Sequence, residues 1–281
     1  MINIVVTSRP SDGLLHYSYE HFRRLKDEGV AVSLVIIPRD NFTNESYIDS
    51  IKKKYHSVTT EDIFFDYFYD PDDITLIMGR SMLVLPYLDY KNYNEDNRFT
   101  LHELFKCPLI AVYAENHPIE VWDAAVKFWG PKSIDHLCDT EVYLNGIGDH
   151  FEKTIHFEYY KDPVFDPKIS FLFLGTSKDY YEIAEKRCTT YPNYGILTYD
   201  SKYLNKDLNN IFAPVDNLLG LFETYVYTKQ TFDPAPRLMQ ECKYYGKSLI
   251  YDRPRMHDGG SVYMNREIVR PNIEPILKFV K

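Results

Sequence analysis

Cysteine is scarce in this sequence, and the glycine motif of dinucleotide-binding proteins is missing. The four cysteines among 281 residues are scattered and form no C-x-x-C pair. A disulfide framework or a structural zinc site is therefore not expected, and a reducing compartment fits the composition better. A single glycine, Gly13, follows the first apolar run in place of G-x-G-x-x-G, which is weak evidence for phosphate binding at that point.

Long apolar runs and an excess of positive charge are also missing. No run is long enough to cross a bilayer, and the opening MINIVVTSRP has no basic region followed by a long apolar core. We therefore expect no signal peptide, no membrane insertion and a cytoplasmic location. The 32 Lys and Arg against 41 Asp and Glu leave a formal net charge of -9 at pH 7. This balance counts against a broad electrostatic grip on nucleic acid or anionic membranes, but leaves room for a local basic groove.

The chain does contain a regular alternation of apolar runs and amphipathic stretches, without internal repeats. With 44% hydrophobic residues it can form one large or two small cores. Apolar runs predict strands over residues 2–7, 30–37, 74–78, 108–114, 156–159, 169–174, 193–199, 224–228 and 248–251. Helical spacing predicts helices over residues 14–28, 48–55, 119–128, 180–187, 214–222, 237–245 and 272–281. This alternation predicts an α/β fold.

The clearest break in this pattern lies at residues 161–167, where prolines and acids interrupt the periodicity. We take it as a linker between an amino-terminal domain (residues 1–160) and a carboxyl-terminal domain (168–270), with a terminal helix over 271–281. We expect two Rossmann-like α/β domains that face each other across a cleft.

In the first half, candidate site residues follow two predicted strands. Asp12, Gly13 and His16 come after the first strand, at the edge where doubly wound sheets place ligands. Glu115 and His117 follow the strand at 108–114. A helix-start histidine is more often a surface or packing residue, and a simple turn explains the second pair equally well.

The most informative stretch is residues 224–251, which predicts a strand, a proline-broken loop, a helix and a second strand. Asp233 can cap the helix, and Glu241 lies two turns further on. Arg237 lies between them, near a helix N-terminus whose free amides favour an anion. Such a helix can hold a diphosphate and present carboxylates to hydroxyl groups, as in a nucleotide-sugar site. A capped surface helix accounts for the same spacing.

The segment DPAPRLMQECKYYGKSLI resembles the E-x7-E segment of GT-B glycosyltransferases, whose pattern is E-P-F-G, a hydrophobic turn, E-A and a G-x-P-V-I strand. Asp233 and Pro234 fall on the E-P, Glu241 on the second acid and Gly246 on the closing glycine. The resemblance extends over about residues 170–261 and is weak before them.

Three departures from the family pattern affect what the resemblance implies. Asp233 is one methylene shorter than glutamate, so the sugar or its depth in the site differs. Pro236 stands where a glycine is usual and removes an amide that the family uses on phosphate; Arg237 can replace it with charge. Ser248 replaces the proline of the closing strand.

By this resemblance, the first acid holds sugar hydroxyls and the second holds the ribose, which assigns these roles to Asp233 and Glu241. The family also has a glycine loop at the start of this domain, where amides and a basic residue meet the diphosphate. Gly175, Thr176 and Lys178 occupy that place. A solvated loop lysine is the alternative for Lys178.

The resemblance implies transfer of a sugar from a nucleotide-diphosphate donor to a hydroxyl acceptor. Arg237, helix amides and Lys178 would stabilise the leaving diphosphate. No metal or other cofactor is expected, because amides and cations can do this work and no D-x-D pattern suited to a metal occurs. An inverting reaction needs a base from the first half, and the candidates are Glu115, His117, His16 and Asp12. A retaining reaction in related enzymes uses no protein nucleophile.

The acceptor is left open by the sequence. In its small size, its composition rich in Tyr, Asn, Lys and Asp, and the segment DPAPRLMQEC, the chain is similar to glycosyltransferases of tailed phages, some of which modify hydroxymethylated cytosine in DNA. If it is encoded by a phage, it would act in the host cytoplasm. A surface or lipid-linked saccharide is the other acceptor class. The rival classes are a non-catalytic nucleotide-sugar binding protein and an interaction protein with a degenerate site.

Overall fold

The computed structural model describes residues 1–39, 42–66, 72–78, 109–113, 155–205, 207–228 and 237–252. Its strands are β1 (Ile2–Ser8), β2 (Val32–Pro38), β3 (Ile63–Phe64), β4 (Ile74–Met78), β5 (Leu109–Tyr113), β6 (Ile169–Gly175), β7 (Tyr194–Thr198), β8 (Asn210–Phe212), β9 (Phe222–Tyr227) and β10 (Ser248–Tyr251). Its α-helices are α1 (Gly13–Asp27), α2 (Asn44–Lys54), α3 (Lys178–Cys188), α4 (Leu218–Leu221) and α5 (Arg237–Tyr244). Short 3-10 helices cover Phe157–Tyr159 and Ser201–Asn205.

The described strands form two sheets of five, in the orders β3-β2-β1-β4-β5 and β10-β9-β6-β7-β8. Every strand pair in them is parallel. Counted from its own first strand, β6, the second sheet has the same order as the first. In both sheets the order reverses beside the first strand, and the crevice at the carboxyl ends there is where such sheets bind ligands. The expected α/β class with parallel sheets is confirmed.

The described chain divides into two compact units, each with one sheet. The first contains the described residues up to Ile51 and from Ser57 through Glu158. The second contains Lys52–His56 and the described residues from Tyr159 on. The last turn of α2 is therefore part of the second unit.

The core of the first unit forms because β1 is buried along its whole length and α1 covers it with an apolar face. The helix buries Leu15, Tyr19, Phe22 and Leu25, which recur at the three- and four-residue spacing of one helical face. β1 also contains a buried polar residue, Asn3, whose amide donates to Asp73 at 2.9 Å. Pairing of this kind removes the cost of burying the amide.

The second sheet has an apolar core on each face, because residues along its strands alternate between the two faces. Phe173, Ile196 and Val226 pack with Tyr181 and the rest of α3. Their neighbours along the strands, Leu172, Leu197 and Tyr225, pack with Met239 and Cys242 of α5. The helix is closed by Gly246, whose φ of 67° lies in the left-handed region that suits glycine, as the sequence predicts.

Two local predictions are wrong, and two others lie outside the described residues. Residues 156–159 form a 3-10 turn and not a strand. The helix predicted over 214–222 covers only Leu218–Leu221, because Phe222 begins β9 and pairs with Ile169 of β6. The helices predicted over 119–128 and 272–281 are not among the described residues.

The predicted linker, residues 161–167, has no regular secondary structure and is hydrogen-bonded to α4 and the residue before it. The Asn217 side chain accepts from the Val164 amide at 2.9 Å and donates to the Val164 carbonyl at 2.6 Å. The Asp166 amide donates to the Gly220 carbonyl at 3.1 Å. This segment is thus held in place within the second unit. In the part of the chain described here, no helix has both the length and the apolar character needed to span a bilayer.

Candidate functional site

The second unit contains a buried group of charged and polar side chains, Lys54, Tyr160, Arg237 and Glu241, which we call the Glu241 cluster. Glu241 Oε1 accepts from Lys54 Nζ at 2.6 Å, from the Tyr160 hydroxyl at 2.8 Å and from Arg237 Nε at 3.0 Å. Arg237 Nη2 in turn donates to the Tyr160 oxygen at 2.5 Å. The side chain of Glu241 is only 4% exposed, so these contacts replace nearly all of its hydration.

Three segments of the chain bring these side chains together. Arg237 and Glu241 are one helical turn apart on α5, the spacing at which helical side chains meet. Lys54 is the last residue of α2. Tyr160 lies opposite the next residue, Tyr55, in an antiparallel bridge, and beside it the Lys161 amide donates to the Lys54 carbonyl at 2.9 Å.

The cluster combines two cations with one carboxylate. Burial acts to raise the pKa of Glu241, but the charges of Lys54 and Arg237 and the hydrogen bonds outweigh it and hold that pKa below its ordinary value. The Tyr160 ring adds to the balance, since Lys54 Nζ lies 5.1 Å and Arg237 Cζ 5.9 Å from its centroid. With Glu241 ionised, the cluster carries a net positive charge, which favours a nearby anion.

The two oxygens of the Glu241 carboxylate are not equivalent. All three donors bond to Oε1, and no donor in the described part of the chain bonds to Oε2. An ionised carboxylate offers about four lone-pair positions, two on each oxygen. Oε2 therefore retains the capacity to accept hydrogen bonds from a ligand.

Helix α5 begins at the edge of the sheet where parallel α/β sheets bind ligands. The helix connects β9 and β10, which are parallel neighbours, so it must run antiparallel to them with its N-terminus towards their carboxyl ends. β9 also pairs with β6, and the strand order reverses between them. Arg237 and Glu241 thus lie on the helix that begins beside the crevice of this sheet.

The glycine loop after β6 lies among the described residues, and its role in phosphate binding stays a prediction. Gly175 allows close packing, because an added Cβ would be 2.7 Å from Tyr181 Cδ2. The Ser177 hydroxyl accepts from the Tyr180 amide and caps α3. Thr176 precedes this cap. The Lys178 side chain is 75% exposed, and its Nζ lies 3.9 Å from Glu182 Oε1.

The first-unit candidates lie around the start of α1. Asp12 precedes the helix, and its Oδ2 accepts from the Arg9 amide at 2.9 Å without capping the helix. Gly13 is the first helical residue, and His16 is buried one turn later with 5% exposure. His16 is thus a buried residue of α1, and its role as a base stays a prediction.

Three of the candidates predicted from the sequence, Glu115, His117 and Asp233, lie outside the described residues. Of the remaining ones, the structure brings Arg237 and Glu241 together. It adds Lys54 and Tyr160, which sequence reasoning missed. Nothing in the sequence marks them, since Lys54 ends a run of three lysines and Tyr160 is one of 25 tyrosines.

No group of three or more His, Cys, Asp or Glu side chains in the described ranges is arranged to hold a metal. Comparison of the sequence with known protein families and with curated proteins gives no match. The class defined by the fold is therefore a parallel α/β protein with two sheets of Rossmann-like order, and the site is a buried carboxylate held by two cations and a tyrosine.

Proposed function

We propose that the chain is a nucleotide-sugar glycosyltransferase of GT-B type, with its donor site in the second unit. The observation that carries this proposal is the asymmetric binding of Glu241, with Oε1 held by three donors and Oε2 left to accept from a ligand. The resemblance of residues 233–250 to the E-x7-E segment assigns the ribose to this second acid. The repeated strand order β3-β2-β1-β4-β5 supports a pair of Rossmann-like domains.

In the proposed reaction, an acceptor hydroxyl oxygen bonds to the anomeric carbon of the sugar while the bond from that carbon to the diphosphate oxygen breaks. The diphosphate leaves with the electron pair, and the net positive charge of the Glu241 cluster and the amides at the start of α5 stabilise it. Asp233 would orient the sugar. The hydroxyl proton passes to a base in an inverting reaction, for which Glu115, His117, His16 and Asp12 remain the candidates, or to the leaving diphosphate in a retaining one.

The structure modifies the role expected for Arg237. Its Nε and Nη2 are engaged with Glu241 and Tyr160, and the residue is 8% exposed. Arg237 therefore acts on the diphosphate through the charge of the cluster rather than as a mobile clamp. The acceptor remains a hydroxymethylated pyrimidine in phage DNA or a surface or lipid-linked saccharide.

A thermal-shift screen against UDP, GDP, ADP, CMP and their sugars tests the donor site. A ligand that binds only the folded state raises the melting temperature. We expect stabilisation by one nucleotide, lost in Glu241→Gln and kept in Glu182→Gln, which changes an exposed acid on α3. No shift at millimolar ligand would overturn the proposal.

A non-catalytic nucleotide-sugar binding protein is the second candidate. It is favoured by the internal engagement of Arg237, because Nε and Nη2 are bonded to Glu241 and Tyr160 rather than directed at a leaving diphosphate. An assay for release of free nucleotide from the sugar donor that stabilises the protein separates the enzyme from the binding protein. A coupled phosphatase converts the released nucleotide to inorganic phosphate, which is measured. Binding without release, with DNA and saccharide acceptors supplied, would favour the second candidate.

A further inference from the structure

The Glu241 carboxylate is held more firmly than a ligand-binding acid on a helix surface would be. The terminal torsion of a glutamate is broad, so a carboxylate bound by one donor can rotate about its last bond. Here, donors from three chain segments bond to the same oxygen: Lys54 from the end of α2, Tyr160 from the opposite strand of the bridge, and Arg237 from α5 itself. Three donors on one atom fix the plane of the carboxylate and the direction of the other oxygen.

We infer that Lys54 and Tyr160 are positioning residues that fix Glu241 so that its Oε2 receives the vicinal hydroxyls of the donor's ribose. This inference rests on the proposed function and extends it to two residues outside the E-x7-E segment. Lys54 supplies charge to Oε1, while Tyr160 donates to Oε1 and accepts from Arg237, so that the tyrosine oxygen links the carboxylate to the guanidinium. With Oε1 saturated, Oε2 is the acceptor that remains for two hydroxyl donors.

The inference predicts that the protein distinguishes ribose from dideoxyribose through Lys54 and Tyr160. Suitable probes are UDP, GDP and ADP with their 2′,3′-dideoxy forms, measured by isothermal titration calorimetry. Hydrogen bonds to a charged acceptor are the strong ones, so wild type should bind the ribose form at least about tenfold more tightly than its dideoxy form.

Tyr160→Phe keeps the ring and removes only the hydroxyl, and Lys54→Met removes the charge with similar length. We expect Lys54→Met to bring the ribose-to-dideoxy ratio near one, because it removes a donor together with its charge. Tyr160→Phe should lower the ratio about threefold, a smaller loss because both cations that bond to Oε1 remain. Affinity for the dideoxy form should stay unchanged in Tyr160→Phe. Lys54→Met should also weaken binding of the dideoxy form, because the cluster loses its net positive charge, and the ratio of the two affinities separates this effect from positioning. Lys54→Arg keeps a donor and charge and should restore most of the discrimination.

Matched controls come from the same elements. Lys52→Met removes an exposed lysine from α2, and Tyr244→Phe removes the hydroxyl of a residue on α5 that is 52% exposed. Both should leave the ratio at the wild-type value. Loss of folding would lower the binding of both probes together, so the ratio reports positioning and not stability.

Two outcomes overturn the inference while the proposed function stands: wild type binds one nucleotide without distinguishing its dideoxy form, or Tyr160→Phe and Lys54→Met leave the ratio unchanged. If wild type binds none of the three nucleotides, the proposed function fails and the inference fails with it. If Lys54→Met does not fold, Tyr160→Phe alone decides, because it preserves both charges and the ring contacts.

Discussion

Replacing Glu241 with alanine should cost far more stability than replacing a comparable exposed acid. The change leaves Arg237, with 7% of its side chain exposed, and Lys54, with 22%, without their shared carboxylate. Removing one partner of a buried ion pair costs about 3–5 kcal/mol. Lys54 retains some contact with water, so we expect a loss near the lower end, about 3 kcal/mol. This is a large part of the 5–15 kcal/mol that is typical of folded proteins.

The matched control is Glu182→Ala on α3 of the same unit. Lys178 and Glu182 have the same four-residue spacing as Arg237 and Glu241, but they are 75% and 47% exposed and 3.9 Å apart. Exposed helical pairs of this kind contribute about 0.3–0.5 kcal/mol. The two variants therefore test the same helical geometry with and without burial.

Urea unfolding of both variants, followed by alkylation of Cys188, measures the free energy of unfolding of the second unit. Cys188 is fully buried on α3, on the opposite face of the sheet from α5, so its exposure reports unfolding of this unit without direct influence from residue 241. A loss below about 1 kcal/mol for Glu241→Ala, similar to that for Glu182→Ala, would refute the reasoning. In that case the carboxylate would not be a buried partner of two cations.

Three further predictions concern pH, packing and thiol chemistry. The pKa of Glu241 is lower in the folded state than in the unfolded chain, so at a pH between the two values only the unfolded chain has Glu241 protonated. The free energy of unfolding should therefore be highest above the ordinary pKa range of glutamate and fall as the pH drops through that range. Glu241→Gln should flatten this part of the pH-stability curve. Gly220→Ala should destabilise the second unit by about 1–3 kcal/mol in urea unfolding, since the added Cβ would lie 1.9 Å from the Val164 carbonyl oxygen; an unchanged midpoint would contradict this packing. Burial raises the pKa of the Cys188 thiol and raises that of Cys242 well above its ordinary value, so neither thiol should react with iodoacetamide in the native protein at pH 8. If peptide mapping finds either cysteine labelled before unfolding, the burial of that thiol is contradicted.

Most of the described fold is predictable because its signals are local. The apolar run of β1, the amphipathic face of α1 and the closing Gly246 of α5 each lie within one element. The errors arise where pairing elsewhere overrides a local pattern. The apolar run through Phe222 fits a helix, yet Phe222 is the first residue of β9 and pairs in parallel with Ile169 of β6.

Short edge strands also escape prediction for a physical reason. β3 has two residues and β8 has three, too few for a period to be visible. β8 is identified only by its pairing, in which Asn210 lies opposite Ile196 of β7. Partners of this kind must be found in three dimensions.

The same contrast between local and long-range signals applies to the residues of the Glu241 cluster. Arg237 and Glu241 are predictable as a pair, because four residues on a helix bring two side chains together. Lys54 and Tyr160 are 187 and 81 residues away from Glu241 in the chain, and no local pattern connects them. The sequence therefore predicts the acid and Arg237, but not Lys54 and Tyr160, which also bond to it.

The presence of Lys52–His56 in the second unit has a consequence for synthesis on the ribosome. Lys54 emerges 187 residues before Glu241, and at about 5–20 residues per second this interval is about 10–40 s. Throughout it, the lysine has no carboxylate from α5, so the nascent second unit acquires its buried charge balance only after α5 has been synthesised. A fragment that starts at Tyr159 would never acquire Lys54, and dividing the gene at the proline-rich segment would separate the acid from one of its two cations.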